Sequence, residues 1–230
     1  GVVTRSRNVV EAGVVQGCET IPVNSLEQAA AFLAGDEEIA PHVTEVNELF
    51  QTAHLRVPDL SEVKGQGHVK RALTVAAAGA HNILMVGPPG GGKTMLAERL
   101  PGLLPDLSDQ AALDVSRVHS AAGALDDASE LLRRPPLRAP HHTASLVALV
   151  GGGSSLLRPG EISLASGGVL FLDELGEFPA AHLDALRQPL ESGIVRVARA
   201  HVGATLPARF LLVAATNPCP CGVGPFGPCR

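Results

Sequence analysis

The most specific chemical pattern in the chain is a glycine-rich loop, Gly87-Pro88-Pro89-Gly90-Gly91-Gly92-Lys93-Thr94, which matches G-x-x-x-x-G-K-[ST]. The apolar run at 82–86 predicts a buried strand before it, and residues 95–100 begin a helix after it. This order directs backbone N–H groups and the positive end of the helix dipole at one point, which suits triphosphate oxygens. We expect Lys93 to reach the β- and γ-phosphates and the Thr94 hydroxyl to complete a Mg²⁺ shell. A chance glycine turn, the alternative, would not explain the flanking strand and helix.

Two further apolar runs end in polar residues. Residues 169–172 are apolar without alternation, which predicts a strand buried on both faces, and they lead directly into Asp173 and Glu174. A second such run, 210–215, leads into Asn217. Because parallel strands end at the same edge of a sheet, where open α/β sheets bind ligands, we expect these side chains to meet the glycine loop.

Together these groups fit the hydrolysis of a nucleotide. Asp173 suits the metal shell, Glu174 is placed to act as general base for an attacking water, and Asn217 can contact the γ-phosphate and that water. Taken singly, an acid pair after a strand is usually a solvated strand end, and an Asn before Pro is usually a turn residue. One hydrolytic site explains all three positions.

Composition limits the remaining possibilities. Of the 230 residues, 45% are hydrophobic and 18% charged, as in a globular protein with an ample core. The six Phe with no Tyr or Trp argue against binding of single-stranded nucleic acid by aromatic stacking, and the net charge of −5 predicts no overall attraction to DNA or anionic lipid. No apolar run or signal pattern predicts membrane insertion or export, so we expect a cytoplasmic protein.

The elements that must position the site follow from periodicity and breaker residues. The first 35 residues predict helix, strand and helix, too few to enclose a core, and an acidic linker follows at about 36–59. The segment 135–160 is rich in Pro and Gly and is predicted to be irregular. The other predicted elements are helices at 68–79, 93–100, 108–120, 161–166 and 180–192 and a hairpin formed by 194–198 and 204–208.

The motifs resemble those of a known family. The loop at 87–94, the run 169–174 and Asn217 look like the Walker A, Walker B and sensor-1 motifs of an AAA+ ATPase. Three longer stretches, at 138–145, 158–165 and 217–222, resemble the magnesium-chelatase-like ComM/YifB family. This resemblance covers essentially the whole chain.

The resemblance implies an α/β fold of the P-loop NTPase (AAA+) type, with a central parallel sheet flanked by helices, a helix-2 insert at 135–160 and a pre-sensor-1 hairpin at 194–209. It implies a hexameric ring that hydrolyses ATP between subunits. Val63 and Gly65 look like adenine-side contacts, and Met95 completes the implied nucleotide site.

The resemblance also implies a division of the chain. Residues 1–50 would be the end of a Lon-protease-like α+β domain plus linker, without an identifiable peptidase pair. Residues 51–230 would be the AAA+ core without its arginine finger, sensor 2 and lid, which we expect after Arg230. We therefore expect the chain alone to bind nucleotide weakly and hydrolyse it poorly.

Two basic stretches suggest a partner. Residues 131–160 and 194–209 contain arginines and no acid, and they coincide with the two insertions. If both lined a pore they could grip a phosphate backbone, although carboxylates of a neighbouring subunit are an alternative partner. The DNA candidates are Arg138, Arg158, Arg196 and Arg199. The pair His141-His142 is interpreted as hydrogen-bonding loop residues.

Three cysteines crowd the last dozen residues: Cys219, Cys221 and Cys229. A structural Zn²⁺ site is an open hypothesis, because a closed tetrahedral site needs four ligands and the resemblance suggests the fourth only beyond this sequence.

Three functions remain open. The favoured one is a DNA-acting motor, because the acid-free stretches suit a polyanion and the insertions resemble the ComM/YifB family more than a dedicated chelatase subunit. The resemblance implies a helicase or branch-migration factor in recombination during natural transformation. The alternatives are a chelatase-type ATPase that drives magnesium insertion into a tetrapyrrole with a partner subunit, and a nucleotide-gated scaffold.

Overall fold

The computed structural model describes residues 1–13, 17–44, 58–125, 131–153, 158–199 and 202–218. The chain divides into two compact units, one formed by Gly1–His54 with Gly123–Leu131 and the other by Leu55–Ala122 with Leu132–Arg230. The Lon-like character of the first 50 residues stays a prediction.

The smaller unit contains two parallel strands and two helices. The strands are β1 (Val2–Arg5) and β2 (Thr20–Val23), and the helices are α1 (Val9–Gly13) and α2 (Leu26–Ala34). The sequence predicted β2 and α2 correctly and missed β1, whose four residues are too few to carry an alternating pattern. The ends of α2 have a clear cause: the Ser25 hydroxyl accepts from the Gln28 N–H at one end, and Gly35 adopts φ 85° at the other.

The larger unit is built on a four-stranded parallel sheet in the order β3, β10, β7, β4. The strands are β3 (Ile83–Val86), β4 (Leu137–Arg138), β7 (Val169–Leu172) and β10 (Leu211–Thr216). Two antiparallel ribbons accompany it, β5 (Gly151–Gly152) with β6 (Arg158–Pro159) and β8 (Ile194–Arg199) with β9 (Val202–Pro207). The predicted α/β class with a central parallel sheet is therefore confirmed.

Seven helices in the described part surround this sheet: α3 (Gly67–Gly79), α4 (Lys93–Ala97), α5 (Asp109–Ala122), α6 (Leu146–Val150), α7 (Glu161–Leu164), α8 (Ala180–Ala185) and α9 (Arg187–Ser192). Short 3₁₀ turns cover Leu60–Glu62, Leu100–Leu103 and Leu175–Glu177. No described helix combines the length and the apolar character that crossing a bilayer requires.

Two prolines divide helices that the sequence predicted to be continuous. The predicted helix 180–192 is two helices, α8 and α9, and the predicted helix 93–100 ends at Ala97. Proline has no N–H to donate to the carbonyl four residues earlier, and its ring clashes with that carbonyl. The residues four positions before Pro189 and Pro101 are Ala185 and Ala97, where α8 and α4 end.

The segment 135–160, predicted to be irregular, contains regular structure. It carries β4, α6 and the ribbon strands β5 and β6, and β4 pairs with β7 at the edge of the sheet. Strands of two residues give no periodic signal, so periodicity could not reveal them.

Strand β7 is the centre of the core. All four of its residues are buried, and alternate side chains enter different layers. Val169 and Phe171 pack with residues such as Leu73 and Leu96, whereas Leu170 and Leu172 pack with a second cluster that includes Ile162. The sequence prediction of a strand covered on both faces is confirmed.

One buried histidine makes the stability of this unit depend on pH. His119 of α5 is 5% exposed, and its Nε2 lies 2.8 Å from the Leu164 carbonyl oxygen, so that nitrogen donates the hydrogen bond. Burial lowers the pKa of His119, and the hydrogen bond to Leu164 only partly opposes this. Below the ordinary value near 6.5 the unfolded chain takes up the proton more readily than the folded one, so stability falls as the solution is acidified.

We predict that His119→Gln, which keeps a donor for Leu164, reduces the loss of unfolding free energy between pH 7.5 and pH 5.5. Urea denaturation at both pH values measures it, and wild type should lose more stability than the variant. The same loss in both proteins would contradict this account of His119.

Candidate active site

Three neighbouring strands end at the predicted site. The glycine loop follows β3, Asn217 follows β10, and Asp173 and Glu174 follow β7, and these strands are adjacent in the sheet. The Gly87 N–H donates to the Thr216 carbonyl at 3.2 Å, so the β3–β10 pairing continues into the loop. The polar groups therefore meet at the carboxyl edge of the sheet.

Lys93 joins the loop to β10. Its Nζ donates to the carbonyl oxygens of Gly87 and Pro88 at 2.7 and 3.0 Å and to Asn217 Oδ1 at 2.9 Å. An ammonium has three N–H donors, so all three are used within the chain. The ammonium is thereby held between the start of the loop and the end of β10.

Thr94 joins the loop to β7. Its hydroxyl donates to Asp173 Oδ2 at 2.7 Å, and Asp173 Oδ1 accepts from the Glu174 N–H at 2.9 Å. A hydroxyl and a carboxylate oxygen side by side form the hard, oxygen-only donor set that Mg²⁺ prefers. The residues present therefore fit the metal that the sequence predicted.

The loop also offers backbone donors. Gly90 and Gly92 have φ 76° and 78°, conformations that side-chain-bearing residues rarely adopt. The Gly91 N–H donates to the Pro88 carbonyl, but the N–H groups of Gly90, Gly92 and the first residues of α4 have no acceptor in the described part of the chain. Several free N–H groups around one loop fit an anion such as a phosphate group.

Glu174 has two features that the sequence did not reveal. Its backbone is in the left-handed region at φ 53°, which costs a non-glycine residue on the order of 1 kcal/mol. Its Oε2 lies 3.4 Å from His142 Nδ1. The His142 ring in turn packs against the rings of His141 and Phe178, with centroid distances of 4.1 and 6.3 Å.

The contact makes His142 part of the site. It was interpreted from sequence as a loop residue, because β4, which brings residues 141 and 142 beside the end of β7, is too short to be predicted. If β4 had been recognised as a fourth strand of the sheet, a polar residue a few positions after its end would have indicated a further site residue.

Three further residues were predicted to contact the nucleotide, Val63, Gly65 and Met95, and their surroundings differ. The Val63 side chain is only 3% exposed and packs in the core, and its carbonyl accepts a hydrogen bond from Lys70 Nζ. Gly65 is exposed at φ 68° with open space around it. Met95 Cε would lie 3.2 Å from a Cβ on Gly92. Their contact with a nucleotide stays a prediction.

The basic stretch at 131–160 has carboxylate partners that its own sequence lacks. Arg133 and Arg134 lie 3.4 and 3.5 Å from carboxylates at positions 109 and 106. Arg138 donates through Nε and a terminal nitrogen to both carboxylate oxygens of Glu161, at 2.5 and 2.7 Å. These hydrogen bonds raise the pKa of Arg138, so the pair stays ionised.

Arg138 is a poorer candidate for a DNA contact than an exposed arginine, because its guanidinium is half-buried and already bound by Glu161; its contact with DNA stays a prediction. Arg158 on β6 and Arg196 on β8 are exposed and lack a carboxylate partner among the described residues. Arg199 ends β8, and its side chain lies outside the description. Cys219, Cys221 and Cys229 also lie outside the described residues, so the zinc site stays a prediction.

The chain is similar to a known protein family. A family model described as magnesium chelatase, subunit ChlI, matches residues 59–227. The competence protein ComM of Haemophilus influenzae is 48% identical over 223 residues, covering 96% of this chain and 43% of ComM. YifB of Escherichia coli, an uncharacterized protein, is 47% identical over 223 residues, covering 96% of this chain and 42% of YifB. The chain thus spans less than half the length of these curated relatives.

A solved structure is similar as well. A chain of the complex between the BchI and BchD subunits of magnesium chelatase, based on a single-particle cryo-EM reconstruction, is 25% identical with a TM-score of 0.55, covering 70% of this chain and 56% of that one. The sequence-based resemblance to the magnesium-chelatase-like ComM/YifB family and the AAA+ fold are both confirmed.

The ion pair between β4 and α7 gives a prediction for stability. We expect Arg138→Met to lower the free energy of unfolding by about 1–3 kcal/mol, because it leaves a half-buried Glu161 carboxylate without its two donors. Urea denaturation measures the change, and the double variant Arg138→Met/Glu161→Gln should recover part of the loss. The exposed pair Arg187–Asp184 is the control, since Arg187→Met should cost less than about 1 kcal/mol. Equal effects at both arginines would contradict the assignment.

Proposed function

The chain belongs to the magnesium chelatase ChlI family, and from this premise we propose that it binds ATP with Mg²⁺ and hydrolyses it as the core of an AAA+ motor. Two hydrogen bonds carry the proposal, because they join the glycine loop to the ends of the two neighbouring strands. They link Lys93 to Asn217 and Thr94 to Asp173. Free loop N–H groups beside these bonds supply the donors that a triphosphate needs.

Each side chain has a step in the proposed reaction. The free N–H groups of the loop hold the phosphates, and Lys93 exchanges one of its internal acceptors for a phosphate oxygen. Bound Mg²⁺, held by Thr94 and Asp173, would neutralise developing charge on the phosphates. Glu174 takes a proton from water as the water oxygen attacks the γ-phosphorus, and ADP leaves. Asn217 orients that water and the γ-phosphate.

The assembly and the partner are further parts of the proposal. We propose a hexameric ring that hydrolyses ATP between subunits, which the BchI–BchD complex supports as a related assembly. We propose DNA as the partner, because two exposed arginines of the basic stretches, Arg158 and Arg196, lie on ribbons that pack against each other through β5 and β8. An exposed guanidinium on each ribbon suits a phosphate backbone.

The favoured role is a helicase or branch-migration factor in recombination during natural transformation, and the similarity to a protein named competence protein ComM supports it. The second candidate is a chelatase-type ATPase that inserts magnesium into a tetrapyrrole with a partner subunit, and the similarity to BchI supports it.

The first experiment tests the ATPase. We expect Glu174→Gln to reduce ATP turnover about 10²- to 10⁴-fold, because it removes the general base, while ATP affinity stays near that of wild type. Phosphate release and isothermal titration with ATP and Mg²⁺ measure the two quantities, on a polypeptide that carries the chain within a sequence of the relatives' full length, since we expect the chain alone to hydrolyse ATP poorly. Glu177→Gln is the matched control, since Glu177 is exposed three residues later in the adjoining turn and should leave turnover intact. A large loss from both variants, or from neither, would contradict the role of Glu174.

The second experiment tests the partner. The chain spans less than half the length of its relatives, so this experiment uses a polypeptide that carries the chain within a sequence of the relatives' full length. We expect DNA to raise ATP turnover, and Arg196→Glu/Arg199→Glu to abolish that rise without changing basal turnover. Arg117→Glu, an exposed arginine of α5, is the charge-reversal control. If DNA does not change the rate of ATP turnover in wild type, the chelatase-type function is favoured instead.

A further inference from the structure

Gln66 connects two parts of the chain that border the candidate site. It immediately precedes α3, and its side-chain Nε2 donates to the Gly91 carbonyl oxygen of the glycine loop at 3.2 Å. The two residues are 25 positions apart in sequence. The bond therefore ties the turn before α3 to the phosphate loop.

The bond controls the direction of a backbone donor. A peptide unit is planar and trans, so the Gly91 carbonyl and the Gly92 N–H of the same unit point in opposite directions. With the Gly91 oxygen held by Gln66, the Gly92 N–H is directed away from Gln66. That N–H has no acceptor among the described residues, as expected of a donor kept for a ligand.

Gln66 itself is held firmly. Its carbonyl accepts hydrogen bonds from the N–H groups of Val69 and Lys70 at 3.1 and 3.0 Å. Three residues earlier, Val63 is anchored in the core and its carbonyl is bound by Lys70 Nζ. A side chain that starts from a fixed backbone can restrain the glycine loop, whereas a loose one could not.

Backbone conformation alone does not account for glutamine at this position. Gln66 is left-handed, with φ 50° and ψ 40°, a region that glycine and asparagine adopt at lower cost. Gly92 lies beside it, since a Cβ there would be in ordinary van der Waals contact with Gln66 Nε2, at 3.5 Å. The position thus carries a strained residue whose side chain reaches the loop.

We propose that Gln66 is a positioning residue of the nucleotide site, which orients the Gly91–Gly92 peptide so that its N–H faces the phosphates. This inference rests on the proposed binding of ATP. It assigns Gln66 to the phosphates and not to the base, although it follows directly on the segment with the adenine-side candidates Val63 and Gly65.

The test compares two ligands that share the phosphates but not the base: ADP and inorganic pyrophosphate, each titrated with Mg²⁺ by calorimetry. We expect Gln66→Ala to weaken both by about threefold to tenfold, the effect of one lost hydrogen bond. Gln66→Gly should weaken both equally while unfolding at the same or a higher temperature than Gln66→Ala, because glycine relieves the left-handed strain. Gln66→Glu should weaken both further, since it places a carboxylate against the Gly91 carbonyl.

Control variants separate the possible failures. Gln110→Ala, a surface glutamine of α5, should bind both ligands as wild type does. Weaker ADP binding with unchanged pyrophosphate binding would assign Gln66 to the base and overturn the inference. Wild-type affinities in Gln66→Ala and Gln66→Gly, with Lys93→Ala defective, would overturn the inference alone. Failure of folded wild type to bind ADP would overturn the proposed function and the inference with it.

Discussion

The four side chains of β7 are buried in two separate layers of the core, Val169 and Phe171 on one side of the sheet and Leu170 and Leu172 on the other. A strand under this constraint cannot move towards solvent, because that would expose apolar surface worth roughly 1.5–3 kcal/mol for each side chain. It cannot slip by one residue into the core either, because Asp173 would then take the buried position of Leu172, and an unpaired buried carboxylate is costly. The residues that follow it must therefore appear at a fixed point of the sheet edge. Asp173 reaches Thr94, and Glu174 reaches His142, because β7 cannot move.

The fold brings acidic residues beside three arginines of residues 131–160. The stretch at 131–160 contains no acid, yet three of its arginines lie beside carboxylates of residues 106, 109 and 161. Ion pairing within the fold removes these guanidinium groups from the surface charge that a polyanion would meet. Among the described side chains of the two stretches, the arginines that stay exposed without a carboxylate partner are Arg158, Arg196 and Arg209.

The sequence predicted those parts of the fold whose causes are local. Both ends of the strand at 169–172 were predicted correctly, because an uninterrupted apolar run indicates a strand buried on both faces. The glycine loop was located by its sequence pattern. The breaks before Pro101 and Pro189 were local too, but their effect on the carbonyl four residues earlier was overlooked. By contrast, His142 reaches the site through β4, a strand too short to be predicted, and Gln66 reaches it through a hydrogen bond between residues 25 positions apart, which one sequence does not reveal.

The left-handed backbone of Glu174 has a consequence for how the protein can change. Glycine would adopt φ 53° without strain, so the most stable residue at this position is one that has no carboxylate. With Glu174 as the proposed general base, selection for folding stability and selection for turnover would oppose each other at this position. In related chains that keep the fold but have lost catalysis, we expect glycine or asparagine at this position, and such a replacement would indicate an inactive homologue.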